Sequence, residues 1–303
     1  MLTKEQLAER KNQIGGSDIA SILGMSPWKT ALQLWAEKTG TVEPDVLSDK
    51  EYVQLGIELE DFVCKKFEKK TDMKVRRDNR TFVHKDYPYM VAHIDRRIVG
   101  TEAILEAKTC SSWKLKAWEG EEIPEPYILQ CLWYMGITGM KKCYICCLIG
   151  GQKFVWKEVK FDEELFNSMV EKAKDFWEEY VLKNIQPMAV SGDKDFMVNL
   201  YPSEKNDELQ VANNEVEDWI AHLQESKMHI KEMKKETDDL ESKIKQIIGE
   251  TTGLQTEKYI VTWKSQNGSP KYLKQRMIDD GIFEKYTEPT TRRVMRVKLN
   301  KGE

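Results

Sequence analysis

HIDRRIVGTEAILEAKT, residues 93–109, is the stretch on which the reading of this chain turns. Two extended, apolar-rich runs flank a turn at Gly100, so the segment reads as paired strands. Asp95 lies on the first run, and Glu106 and Lys108 lie two apart on the second. Residues i and i+2 of a strand share a face, so Glu106 and Lys108 project together beside Asp95. That gathers two carboxylates and one ammonium at one place. Mg²⁺ is a hard cation that takes oxygen ligands in octahedral geometry; Asp95 and Glu106 can bind it, with the Ala107 carbonyl as a third ligand. Lys108 can hold the attacking water and help deprotonate it, and such a metal lowers the pKa of that water and neutralises charge in a phosphorane-like transition state. The same spacing also describes an exposed hairpin with a cross-strand lysine–carboxylate pair, because D-x(10)-E-x-K arises often by chance. Against that stands the run Ile104-Leu105-Glu106-Ala107, which sets a carboxylate in an apolar strand, costly without a cation.

Working outward, a further strand signal covers residues 81–84, and the strand through Asp95 extends over 90–98. Downstream come two prolines at 124 and 126, an apolar helix over 127–135 carrying Gln130, strands over 142–149 and 153–161 joined at Gly150-Gly151, and a long helix over 163–183. Upstream, a helix over 50–70 carries Glu60, with Ile57, Val63 and Phe67 on its buried side. Before it, a loop contains Pro44. A preceding helix starts at Ser26-Pro27, with Ser at the N-cap and Pro at N1, buries Leu32, Leu34 and Trp35, and closes at Gly40. A shorter helix runs from an N-cap at Ser17 to Leu23 and ends at Gly24, after a helical opening that breaks at Gly15-Gly16. The fold class is α/β (α+β), a mixed central sheet flanked by helices, over residues 1–190. Glu60 and Gln130 are polar residues set in apolar helical faces; each is either a site residue or a side chain satisfied by solvent or core.

Residues 191–303 differ in composition. Over 213–249 apolar or small residues recur at 216, 220, 223, 230, 233, 237, 240, 244 and 247, the seam of a coiled coil. This helical arm either packs on its own domain or presents a docking or oligomer surface. A strand-like run over 258–264, a short helix and a last strand near 293–299 make a small α+β piece. From Lys264 onward ten Lys/Arg stand against five acids, a local basic excess inside a chain whose net charge is −4.

The 303 residues are 40% hydrophobic and 32% charged, which excludes neither a core nor a nucleic-acid surface but does exclude a disordered chain. No window is apolar enough to span a membrane. The opening MLTKEQLAERKNQ lacks the apolar core of a signal peptide, so the protein is expected in the cytosol. Six cysteines fit that compartment. Three of them, Cys143, Cys146 and Cys147, crowd into CYICC, a buried-strand pattern. Cys143 and Cys146 have C-x-x-C spacing, but no second pair follows to complete a zinc site.

Four blocks, in order, resemble the motifs of the YqaJ-like viral recombinase family, the phage lambda exonuclease-like branch of the PD-(D/E)xK nucleases. They are IGGSDIASILGMSPWKTALQLW (14–35), GIELEDFVCKKFEKKT (56–71), DRR…ILEAKT (95–109) and YILQCLWYMGIT (127–138). The resemblance spans about Arg10 to Thr138, and the following elements fit that fold to about residue 185. It implies a restriction-endonuclease-like core and a phage or prophage 5′→3′ double-strand DNA exonuclease. Such an enzyme acts on duplex ends and leaves 3′ single-stranded tails for recombination by single-strand annealing. By position, the resemblance makes Asp95 and Glu106 metal-binding acids, Lys108 the catalytic lysine, and Glu60, rather than its neighbour Glu58, the helix acid that completes the metal site. Gln130 supports the lysine or the water. Arg10, Gly16 and Ser17 grip the 5′-phosphate, for which a helix N-terminus is suited. Lys114 falls where a basic DNA contact is expected. The implied cofactor is Mg²⁺, with Mn²⁺ as a substitute and two ions per site. The implied partners are a RecT/Redβ-type annealing protein and further copies of the chain in a ring trimer, with no membrane.

This chain departs from the family pattern at His93, where a small polar residue is usual. His93 either reaches toward a phosphate or packs as a strand histidine. The region beyond about residue 205 has no counterpart in lambda exonuclease itself and resembles extensions of longer phage relatives. Rival readings are a related endonuclease, an iron–sulfur repair nuclease, or a non-catalytic DNA-binding or assembly protein on the same fold. Cys64 as the sole early cysteine, with none after Cys147, speaks against the iron–sulfur version. The joint presence of Asp95, Glu106 and Lys108 speaks against a non-catalytic protein.

Overall fold

A computed structural model describes residues 9–43, 50–268, 272–288 and 295–297. The opening helix before residue 9 and the Pro44 loop lie outside the described residues, as does most of the strand expected near 293–299; residues 295–297 are not in a strand. Among the described residues no helix is long and apolar enough to cross a membrane. Two compact units, 1–200 and 201–303, are described separately below.

The first unit opens on α1 (Gly16–Ile22). Its N-cap is Gly15, not Ser17. The Asp18 carboxylate reaches back to accept the Gly15 N–H at 3.1 Å, so the cap is made from the third helical position and Ser17 sits inside the first turn. Ser26 likewise starts no helix. Its Oγ accepts the N–H groups of Trp28 and Lys29 in a tight turn. Thr30, accepting the Gln33 N–H, then caps α2 (Ala31–Lys38). The long α3 (Glu51–Thr71) buries Val63, Cys64 and Phe67. Ile57, expected on that side, is 48% exposed. At that turn Gly56 faces the sheet instead, where an added Cβ would lie 3.4 Å from Thr109 Oγ1.

Seven strands follow: β1 (Val75–Arg77), β2 (Phe82–Val83), β3 (Val91–Ala92), β4 (Arg96–Ile98), β5 (Ala103–Cys110), β6 (Lys142–Ile149) and β7 (Lys153–Lys160). Five of them form a mixed sheet in the order β1-β4-β5-β6-β7, parallel only between β5 and β6. The single strand expected over 90–98 is in fact two. β3 pairs with β2 in a small separate sheet, and β4 pairs with β1 and β5. The break falls at Asp95, whose carboxylate takes the Ala107 N–H at 3.0 Å, a donor that a continued ladder would give to a backbone carbonyl. β1 itself is too short and charged to show an alternating pattern.

Between β5 and β6 runs α4 (Glu125–Thr138), buried from Leu129 to Met135 and closed by Gly139 at φ 72°. After β7 comes α5 (Glu163–Asp175), capped by Asp162. The long helix expected over 163–183 changes there to a π-helical turn over Phe176–Val181. α4 and α5 meet at Gly136, where a Cβ would fall 2.2 Å from the Phe166 ring, so no larger residue permits this approach. The short α6 (Lys194–Leu200) follows Asp193, a buried carboxylate that accepts from Thr30, Gln33 and the Val190 N–H.

The sheet has a core on each side. Ile104, Cys143, Ile145 and Cys147 face α4 and α5, while Leu105, Cys146 and Leu148 face Val63 and Phe67 of α3. Cys146 and Cys147 thus point to opposite faces, and all six cysteines are free thiols.

In the second unit, α7 (Asn214–Ile248) starts at an Asn213 cap. Its seam stands exposed at Ile230 (67%), Met233, Leu240 and Ile247 (75%). A two-stranded antiparallel pair, β8 (Gly253–Gln255) and β9 (Ile260–Thr262), and α8 (Lys274–Asp279) complete it.

Candidate active site

Glu106 stands at the middle of β5 on the face that meets α4, with its carboxylate buried. Its Oε1 accepts from Lys108 Nζ at 2.5 Å and from Gln130 Nε2 at 2.9 Å. Its Oε2 is buried with no hydrogen-bond partner. Burial, reinforced by the neighbouring Asp95 carboxylate, pushes the Glu106 acid up to about 8, against the pull of Lys108. The register Arg96↔Leu105, continued by one residue, sets Asp95 opposite Glu106. Two carboxylates and one ammonium therefore meet here, as the i, i+2 spacing requires.

Lys108 is held from two sides. Burial alone would lower its pKa, but the Glu106 and Asp95 carboxylates outweigh burial and raise it. The ammonium also lies 5.2 Å from the centre of the Tyr127 ring. As placed, Lys108 is a donor. Gln130 uses both of its amide N–H groups: Nε2 also donates to the Tyr134 hydroxyl at 2.7 Å. Tyr134 went unnoticed in the sequence, although it lies four residues after Gln130, on the same side of the helix.

The donor set suits a hard divalent cation. A buried carboxylate oxygen without a partner, next to a second carboxylate, is a costly arrangement that a cation would relieve. Asp95 and Glu106 would supply the oxygens, and Ala107 adjoins them through the N–H it donates to Asp95. Glu60 is not brought into this group: among the described residues no three acidic or metal-binding side chains cluster as a ligand set. Glu60 instead accepts from Arg96 Nη1 at 2.5 Å. Arg96 is buried, donates to the Asp95 carbonyl at 2.7 Å, and also pairs with Asp61. Alternation along β4 turns Arg96 away from Asp95 toward α3. Two acids facing one inward arginine were a signal available in GIELED and DRR.

Arg10, Gly16 and Ser17 come together at the start of α1. Arg10 Nη2 donates to Ser17 Oγ at 3.3 Å. Gly16 packs on α4 so closely that a Cβ would lie 2.6 Å from the Tyr134 ring and 3.2 Å from Gln130 Cγ, which ties this segment to the glutamine of the site. Lys38, which the sequence reading passed over, holds the segment in shape. Its buried ammonium donates to the carbonyls of Arg10 and Gln13 and to Asp18 Oδ2 at 2.7, 2.6 and 2.8 Å. His93 is exposed and shares a hydrogen bond with Thr81 Oγ1 at 3.0 Å. Partial desolvation of the ring, and then the charge of Arg10, lowers its pKa. Lys114 is exposed in the 3₁₀ turn Ser112–Trp118 that follows β5.

Residues 5–141 match the YqaJ-like viral recombinase domain. The protein YqaJ of Bacillus subtilis (strain 168) is 37% identical over 301 residues, 96% of this chain and 92% of that one. Among solved structures, an alkaline exonuclease (LHK-Exo) from Laribacter hongkongensis gives a TM-score of 0.51 at 20% identity, covering 66% of this chain and all 100% of that one. LHK-Exo in complex with dAMP gives 0.51 at 17% identity, covering 65% and 97%. At these identities the structural likeness is one of fold.

Proposed function

The chain belongs to the YqaJ-like viral recombinase family, and on that premise we propose that it is a metal-dependent 5′→3′ exonuclease of duplex DNA that leaves 3′ tails for single-strand annealing. The observation that carries this reading is the buried Glu106 carboxylate, with one oxygen unsatisfied and Asp95, Lys108 and Gln130 around it. Asp95 and Glu106, with the Ala107 carbonyl, would hold Mg²⁺ or Mn²⁺, and Glu60, now bonded to Arg96, would have to leave that pair to serve a second ion. Bound there, such an ion supplies a water of lowered pKa and offsets charge on the phosphate under attack.

The chain's own residues do the rest. Lys108 presents its ammonium to the attacking water and to the phosphate oxygens. Tyr127 backs that ammonium from the far side. Gln130 keeps the Glu106 carboxylate turned toward Asp95, and Tyr134 keeps Gln130 turned. Arg10 and Ser17 grip the terminal 5′-phosphate, with His93 beside Arg10, and Lys114 contacts the DNA beyond β5. The protein works in the host cytoplasm as a ring trimer beside an annealing protein of RecT/Redβ type.

Digestion of end-labelled linear duplex tests the reading. Strands are expected to shorten from their 5′ ends, faster with a 5′-phosphate than with a 5′-hydroxyl. In Arg10→Ala the two ends should be degraded at equal rates, with the loss confined to the phosphorylated end. Shortening from 3′ ends contradicts the polarity. An undiminished phosphate preference in Arg10→Ala removes Arg10 from the pocket.

A further inference from the structure

Arg76 of β1 and Arg97 of β4 are direct partners in the antiparallel register. Like charges placed opposite one another destabilise a strand pair, so the arrangement needs a reason. The neighbouring cross-strand pair, Arg77 and Arg96, has one: both arginines are paired with Asp61 of α3. Among the described residues no ion pair engages Arg76 or Arg97; the Asp78 carboxylate, bonded to Arg80, lies close enough to Arg97 to feel its charge but makes no direct pair with it. The strand alternation turns these two to the other face. Arg97 is also the register partner of Ile104, which shares its face with Glu106 and Lys108. Two guanidinium groups thus stand on the catalytic face of the sheet. Arg97 is about 7 Å along the strand from Asp95, and Arg76 is one strand spacing, about 4.8 Å, further toward the edge. They border an open hollow of about 540 Å³, shared with Gly100, Thr101 and Glu102. Gly100 takes φ 76° at the turn, and nothing within 4 Å would meet a side chain there. Glu102 is the one carboxylate among the residues that line it.

We propose that Arg76 and Arg97 form a phosphate clamp that binds the DNA backbone beside the cleavage site and aligns the duplex across the sheet. The proposal rests on the nuclease reading. Paired guanidinium groups match the oxygens of a phosphodiester, and the energy lost by setting two cations side by side is recovered when an anion lies between them.

The test is binding of the full chain to a fluorescent duplex in EDTA, across about 50–200 mM salt. Each phosphate contact contributes about 0.9 to the slope of log K against log salt. Arg76→Ala/Arg97→Ala is expected to lower that slope by about 0.9, one phosphate contact, and to weaken binding at low salt. Its melting temperature should be equal to or above that of the wild type, since a repulsion has been removed. Arg76→Lys/Arg97→Lys should restore most of the slope, because charge is kept. Wild-type binding with an unchanged slope in the alanine variant overturns this proposal alone. So does a slope that the lysine variant fails to recover. A wild-type chain that neither binds nor degrades duplex DNA removes the nuclease reading and this proposal together.

Discussion

Glu106→Gln should lose activity on linear duplex DNA by at least about 10³-fold while melting at or above the wild-type temperature. The substitution keeps the volume of the side chain and removes its charge. The wild-type carboxylate is buried, is pushed up to about 8 by its surroundings, and leaves Oε2 without a partner. A neutral amide is less costly to bury, and its NH₂ can donate to the Asp95 carboxylate across the strands. Stability therefore holds or rises, while the anionic oxygen needed for a divalent cation is gone. The two readouts separate function from structure: a purely structural Glu106 would lower the melting temperature along with activity. Measurement of initial rates and of thermal melts on the same preparations checks both.

The largest effect on stability is expected at Lys38, away from the acids. Lys38→Met leaves Asp18 buried without its cation and releases the carbonyls of Arg10 and Gln13. Breaking a buried pair from one side costs about 3–5 kcal/mol, which in a unit of this size lowers the melting temperature by about 10 °C. Burial raises the Asp18 pKa, but Lys38, Arg10 and the Gly15 N–H together more than offset it, so the native carboxyl titrates below its ordinary value. A depressed folded-state pKa stabilises above the unfolded pKa of about 3.9, and that contribution is lost as pH falls through the folded value. The gap between wild type and Lys38→Met should thus be widest near neutral pH and narrow below about pH 4. A gap that does not change with pH would remove the Asp18 pair as its cause. Because Lys38 also shapes the segment bearing Arg10 and Ser17, the variant should lose preference for a 5′-phosphate even at temperatures where it is folded.

What the sequence made legible follows from periodicity. Two residues apart on a strand means one face, and this was enough to bring Glu106, Lys108 and Asp95 together. The apolar helix around Gln130 and the hairpin at Gly150-Gly151 were equally readable, since each pattern is long and regular. Three of the misreadings share a cause: side chains that bond to backbone groups. Asp18 capped α1 from the third position, so Ser17 moved inside the helix. Ser26 satisfied a turn rather than a helix start. Asp95 took a ladder donor and divided one expected strand between two sheets. Lys38 was invisible, and Arg96 legible only as a possible partner for the acids of GIELED, for another reason. Their partners are carbonyls and carboxylates brought close only by the fold, and single-position propensities carry no trace of them. The exposed seam of α7 was legible as a pattern.

One measurement bears most directly on the central claim, that Asp95, Glu106 and Lys108 form a metal-dependent site that works from DNA ends. Release of acid-soluble nucleotide is followed from linear duplex and from covalently closed circular duplex, each with Mg²⁺ and with EDTA. The account predicts release from the linear substrate with Mg²⁺, none with EDTA, and none from the closed circle until it is cut by a restriction enzyme. Release in EDTA, or release from the intact circle, would contradict it.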